Sequence, residues 1–185
     1  MQLEIELKYQ IDDLSKVRRT LEGLGARFEE PVSQIDSYVR HPVRNFAETD
    51  EALRLRRVGE QNCITYKGPK IDKETKTRRE IELSLEAGER SFDSWRELLK
   101  ILGFSSVRDV AKERQSGIVR WEGDDVHLAL DEVGGLGSYL EIEILADEKD
   151  LDVAKSRVLS LAKKLGLERL ERRGYLDLLL SQGKT

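Results

Sequence analysis

Glu4-Ile5-Glu6-Leu7-Lys8 alternates ionic and aliphatic residues at period two. Successive side chains of a strand point to opposite sides, so this stretch predicts a strand with one charged and one apolar face. The pattern recurs at Glu80-Ile81-Glu82-Leu83 and Glu141-Ile142-Glu143-Ile144, and each copy is followed by a helix-period segment ending in Leu-Gly: Leu24-Gly25, Leu102-Gly103 and Leu165-Gly166. In Leu53-Arg54-Leu55-Arg56 the alternation returns with the sign reversed. The fold therefore has to find a use for paired charges on several strands.

Outward from these copies the chain reads as strands with three helices between them. Asp12 or Asp13 caps a helix carrying Leu14, Val17, Leu21 and Leu24, and Gly25 stops it. Phe92, Trp95, Leu98, Leu99 and Leu102 form the core face of a second helix, and Val158, Leu161 and Leu165 mark a third over 150–165. Extended stretches are expected at 27–40, with Asp36 and Tyr38 on one face, at 60–67, at 77–85 and at 107–115 with Lys112 and Arg114 together. A hairpin follows at 118–121 and 126–131, then a strand over 139–145, and a short strand or helix over 175–180 closes the chain. Lys70, Lys73 and Lys76 fall in a mobile, solvated connection, and 41–51 is a loop.

With 185 residues the chain is expected to form a single domain, 1–185. Charged residues make up 37% of it, yet the formal net charge is only −4, which argues against a broad nucleic-acid footprint. The single cysteine, Cys63, excludes an intrachain disulfide and thiol-rich metal sites. No run approaches the roughly 18–20 apolar residues of a membrane span and the N-terminus has no signal-peptide pattern, so a cytoplasmic protein is expected.

An antiparallel sheet ordinarily wets its polar face. Here the helices need the aliphatic faces, so the sheet is expected to curl into a barrel with helices outside and charges inside. Unpaired carboxylates inside cost several kcal/mol each by rough estimate, so such an interior has to be hydrated and accept a ligand. Its bases are Lys8, Arg54, Arg56, Lys67, Arg78, Lys112 and Arg114; its acids are Glu4, Glu6, Glu80, Glu82, Glu141 and Glu143, with Asp36 and Asp131 as additions. Converging bases suit a polyanion, and the acids suit Mg²⁺ or Mn²⁺ placed between them and phosphates.

Taken in order, Glu4-x-Glu6-x-Lys8, Asp36-x-Tyr38, Leu53-Arg54-Leu55-Arg56, Tyr66-Lys67-Gly68, Arg78-x-Glu80-x-Glu82, Lys112-x-Arg114, Asp131 and Glu141-x-Glu143 resemble the CYTH domain of the triphosphate tunnel metalloenzymes. Asp131 through Gly137 and Gly174-Tyr175-Leu176-Asp177 resemble the class IV adenylate cyclase branch. The resemblance implies an α+β fold: an eight-stranded antiparallel β-barrel whose bases clamp a triphosphate and whose six glutamates hold metal. It implies catalysis centred on Glu6, Lys8, Arg114 and Glu143, acting on ATP to give cyclic AMP and pyrophosphate. The alternatives are a triphosphatase and a binding module without turnover. A homodimer is a further implication of the same branch, and no membrane or nucleic-acid partner is expected. One departure is visible: the His-Phe pair that often precedes the Glu-x-Glu-x-Lys motif in bacterial members has no counterpart before Glu4.

Other residues have plainer readings. His41 and His127 lack the spacing of a metal pair, Gly134-Gly135-Leu136-Gly137 lacks the Lys-Ser/Thr of a P-loop and reads as a turn, and Cys63 reads as a small interior residue. Tyr38 and Tyr175 fit either a tunnel mouth or packing, and Asp36 either a substrate contact or an arginine pair.

Overall fold

The computed structural model describes residues 2–70 and 78–182. Nine strands and four α-helices follow one another: β1 (Gln2–Ile11), α1 (Leu14–Gly23), β2 (Arg27–Phe28), β3 (Val32–Arg40), β4 (Ala52–Val58), β5 (Gln61–Lys70), β6 (Arg78–Leu85), α2 (Glu89–Ile101), β7 (Ser105–Trp121), β8 (Asp124–Val133), β9 (Gly137–Asp147), α3 (Leu151–Lys164) and α4 (Tyr175–Gln182). Asp13 caps α1 by accepting the Lys16 N–H at 2.9 Å. The glycines of all three Leu-Gly stops take the positive φ that favours this residue: 92° at Gly25, 92° at Gly103 and 66° at Gly166.

Eight strands close into an antiparallel ring in the order β7-β3-β4-β5-β6-β1-β9-β8, with β8 returning to β7. The two residues of β2 add to the edge of β7. Between β1 and β6 the ring is joined through one register pair among the described residues, Glu4 with Arg78. Further along β1 the edge is taken instead by a strap from the C-terminal region. The Gln10 N–H donates to the Arg169 carbonyl at 3.0 Å and the Glu171 N–H to the Lys8 carbonyl at 2.7 Å.

The apolar core lies outside the ring. Ile5, Leu7, Leu128, Ile142 and Ile144 are buried against Leu21 of α1 and Val158 and Leu161 of α3. On the other flank α2 sets Phe92 and Leu99 over Leu55. Each fully buried aliphatic side chain contributes about 2 kcal/mol, so these contacts decide which face of each strand the helices take. The charged faces are left with the interior.

The expected α+β barrel is present, with three departures in detail. Helix α4 does not cover the outside: Tyr175, Leu178 and Leu179 pack on Val110, Val133 and Tyr139, which share the inner face with Lys112, Asp131 and Glu141, and so cap one end of the tunnel. The stretches 107–115 and 118–121 are one strand, β7, running through Gly117; a β-carbon there would collide with the Phe28 ring and the Arg27 carbonyl of β2. Leu98 and Leu102 are not core residues but are 42% and 59% exposed, because α2 meets the barrel along its Phe92–Leu99 edge. The basic connection carrying Lys73 and Lys76 lies outside the described residues, and Lys70 ends β5. Among the described residues no helix is long and apolar enough to cross a membrane.

Candidate active site: a charged tunnel with two walls

Period-two alternation places Asp36, Arg54, Arg56, Lys112, Arg114 and Asp131 on the inner face, and two buried aspartates organise the four cations. Asp36 accepts from Arg56 Nε at 2.6 Å and Nη2 at 2.8 Å, and from Arg54 Nη1 at 3.4 Å. Asp131 accepts from Arg114 Nε at 2.6 Å and Nη2 at 2.5 Å, and from Lys112 Nζ at 3.1 Å. Asp36 is 2% and Asp131 0% exposed. Burial alone would keep Asp36 protonated, but Arg54 and Arg56 outweigh it and hold its carboxyl well below the usual range. Lys112 moves the other way: burial, with the Arg114 charge beside it, pushes its ammonium down to about 8. Two buried atoms of this wall, Arg54 Nε and Gln34 Oε1, lack a hydrogen-bond partner among the described residues.

The wall of β1 and β9 is acidic. Glu6 on β1 is registered directly across from Glu143 on β9, and Lys8 across from Glu141. Burial, then the charges of Glu6 and Glu141, push Glu143 up to about 7. Glu4 lies alongside: burial, with Glu143, Glu6 and Glu80 adding to it against the pull of Lys67, pushes it up to about 9. Glu141 is engaged by Arg114. Counted round the ring, β4 is four strands from β9 in either direction, so the Arg54 and Arg56 wall faces the Glu141 and Glu143 wall across the tunnel.

Strands β5 and β6 form the side between them. Lys67 pairs with Glu80, which also lies 4.0 Å from Arg78. Glu82 accepts from the Thr65 hydroxyl at 2.8 Å and stands 3.9 Å from Arg54. Cys63 is half-buried beside Glu82, and burial raises its thiol. Of the six glutamates read as metal ligands, the fold thus gathers Glu4, Glu6 and Glu143, and gives Glu80, Glu82 and Glu141 cationic or hydroxyl partners. Lys8 is 1% exposed; its Nζ donates to the Arg173 carbonyl at 2.5 Å and lies over the Tyr175 ring at 4.0 Å.

The donor set suits a hard cation. Among the described residues no three His, Cys, Asp or Glu side chains form a ready-made metal cage. Mg²⁺ seldom needs one, since it binds through one or two carboxylates and completes its shell with phosphate oxygens and water.

Beside the tunnel runs a crevice of about 590 Å³, bounded by Tyr38, Leu53, Lys67 and Arg78, by loop 41–51 and by the start of α4. The loop is held from within. His41 Nδ1 accepts the N–H groups of Val43 at 3.1 Å and Arg44 at 3.0 Å, and Phe46 is buried against the His41 ring, centroids 5.4 Å apart. Glu51 takes hydrogen bonds from Thr49 and Tyr66. Of the two alternatives for Asp36 the arginine pair is the one that forms, whereas the roles of Asp131 and of the Tyr175 hydroxyl, and the crevice itself, escaped the sequence reading. The inner-face positions of both aspartates follow from alternation, whereas their partners are set by the register of β3 on β4 and of β7 on β8, and the Tyr175 contact by a segment 44 residues further along the chain.

A CYTH domain model matches residues 2–175. A protein of Methanocaldococcus jannaschii named "Putative adenylate cyclase" is 37% identical over 95% of this chain and 98% of its own length. The protein named adenylate cyclase CyaB of Aeromonas hydrophila is 28% identical over 95% of this chain and 87% of its own length. Among solved structures, the PH1819 protein of Pyrococcus horikoshii OT3 matches with a TM-score of 0.84 and 38% identity, covering 97% of this chain and 99% of that one. HpAC1 from Hippeastrum, described as a "Putative adenylyl cyclase" that reveals a dominant triphosphatase activity, shares the fold at a TM-score of 0.62 and 18% identity, covering 100% of this chain and 97% of that one. The match along nearly the whole chain, on the barrel whose charged interior is described above, makes this protein a member of the CYTH domain family.

Proposed function

We propose that the protein binds the triphosphate of a nucleotide in the tunnel and cleaves its phosphate chain with divalent-metal assistance, as an adenylate cyclase converting ATP to cyclic AMP and pyrophosphate. The observation that carries this reading is the opposition of two walls: Arg54 and Arg56, set by Asp36 on one side of the ring, face the wall on which Glu6 and Glu143 are directly registered, with Lys112, Arg114 and Asp131 on the side between them. A bare polyanion site has no use for the acidic wall, and a bare cation site none for the basic one. Relatives named as adenylate cyclases support the same reading.

The chain's own residues bind and orient. Arg56 and Arg114 are gripped by their carboxylates along the Nε–Nη2 edge, which fixes the plane of each guanidinium before a phosphate arrives. Arg54 Nε supplies a buried donor for a phosphate oxygen. Lys67 and Arg78 hold the chain where tunnel and crevice meet, and the crevice takes the nucleoside. Lys8 and Arg114, on either side of Glu141, stabilise charge developing on the leaving oxygens in a site screened from water. Glu6 and Glu143, with Glu4 beside them, would hold Mg²⁺ or Mn²⁺, which supplies charge neutralisation on pyrophosphate and a lower pKa for the attacking hydroxyl.

A second reading is hydrolysis of a nucleoside, thiamine or inorganic triphosphate, with water attacking the γ-phosphorus. It is favoured by the character of the tunnel, whose charged groups address phosphates and not a base, and by the activity described for HpAC1. Incubation with ATP and Mn²⁺ decides between them: cyclic AMP with pyrophosphate supports the cyclase, orthophosphate the hydrolase. Binding of ATP and tripolyphosphate without either product would leave a nucleotide-binding module.

A further inference from the structure

The Tyr175 side chain enters the tunnel wall from the strap that docks on β1. Its hydroxyl donates to Asp131 Oδ2 at 2.8 Å, the oxygen that also receives Lys112 and Arg114. Its ring lies 4.0 Å from Lys8 Nζ and 5.1 Å from Lys112 Nζ. The backbone just before it accepts the Lys8 ammonium through the Arg173 carbonyl. One side chain therefore touches two cations of the tunnel through its ring, and a carboxylate shared by two through its hydroxyl.

Packing accounts for only part of this arrangement. Against Val110, Val133, Tyr139, Leu178 and Leu179 a phenylalanine would fill the same space. The hydroxyl is the extra element, and it is spent on a carboxylate with no exposure to solvent. Burial, with the Glu141 and Asp131 charges, keeps the phenol proton in place well above the ordinary range, so the group remains a donor.

We propose that Tyr175 is a positioning residue of the phosphate-binding wall: its hydroxyl fixes the Asp131 carboxylate in the orientation that presents Arg114 and Lys112 to the tunnel, while its ring seats the Lys8 and Lys112 ammonium groups. This rests on the tunnel being the triphosphate site. It makes the strap and α4 part of that site, not only a cap on it.

Calorimetric titration of the full chain with tripolyphosphate tests the proposal, alongside thermal unfolding of the same samples. Tyr175→Phe keeps the ring and loses one hydrogen bond, so it weakens binding about fivefold with little change in unfolding temperature. Tyr175→Leu loses the ring as well and weakens binding about thirtyfold. With turnover, KM moves by these factors while kcat moves less. In an Asp131→Asn background Tyr175→Phe has almost no further effect on affinity, because the group it acts through has been neutralised. Wild-type affinity in both Tyr175 variants overturns the proposal; if the leucine variant does not fold, additive effects of Tyr175→Phe and Asp131→Asn overturn it alone. Failure of the wild-type protein to bind tripolyphosphate would instead remove the tunnel reading on which this one stands.

Discussion

Glu6 on β1 stands directly across from Glu143 on β9, two carboxylates paired in register on the tunnel face. Like charges so placed destabilise a sheet by roughly 0.2–1 kcal/mol. Glu143→Gln or Glu6→Gln is therefore expected to raise the unfolding midpoint of chelator-treated protein by about 1–3 °C. The same changes are expected to lower turnover with Mg²⁺ or Mn²⁺ by about 100-fold. Unaltered turnover in both variants would reject the metal-holding role.

Asp36→Asn leaves Arg54 and Arg56 on the tunnel wall without the carboxylate they share. Removing one partner of a buried ion pair costs about 3–5 kcal/mol, which for a chain of this size lowers the unfolding midpoint by about 10 °C. Tripolyphosphate brings anionic charge to the same guanidinium groups and is expected to recover more of the loss than it adds to the wild type. A variant as stable as the wild type would show that Asp36 does not hold the clamp.

The tunnel's affinity for polyanion is expected to decline as pH rises through about 8, where Lys112 loses its proton. The sign follows from its lowered pKa. Between about 8 and the ordinary 10.5 the folded state binds fewer protons than the unfolded one, so folding gains stability with rising pH while the ligand loses a positive partner. Lys112→Arg keeps its charge and should remove that part of the decline. Dissociation constants for tripolyphosphate from about pH 7 to about pH 9.5 in both proteins cancel the ligand's own titration; parallel curves would refute the assignment.

Phe46 anchors loop 41–51 over the crevice, buried to 7% exposure. Phe46→Ala is expected to loosen the loop and raise KM for ATP about tenfold, near 1.4 kcal/mol, without changing the affinity for tripolyphosphate. An equal loss for both ligands would place the crevice outside the nucleoside's reach.

The strands and the sense of their charged faces were legible because alternation at period two is a local signal, and the three helical faces without partners forced the charges inward. Only the register between neighbouring strands could tell what the charges would meet. Alternation puts Asp36 and Asp131 on the charged faces of their strands, yet their choice of Arg54, Arg56, Lys112 and Arg114 depends on how β3, β4, β7 and β8 align. The strap over 169–171 docks through backbone hydrogen bonds, which leave no side-chain pattern to read. Gly117 falls between the stretches 107–115 and 118–121 that the sequence separates. It lies inside β7 because Phe28 needs the space a side chain would occupy.

The join between β1 and β6, made at Glu4 and Arg78, has a mechanical consequence. Arg78 carries the charge a phosphate engages, and the Glu4 carboxyl, pushed up to about 9, gains its own when a cation displaces the proton, so a metal-bound triphosphate engaging each would act as a clasp across the slimmest join among the described residues. If the tunnel takes the proposed triphosphate, loading it would then tighten the barrel at that join.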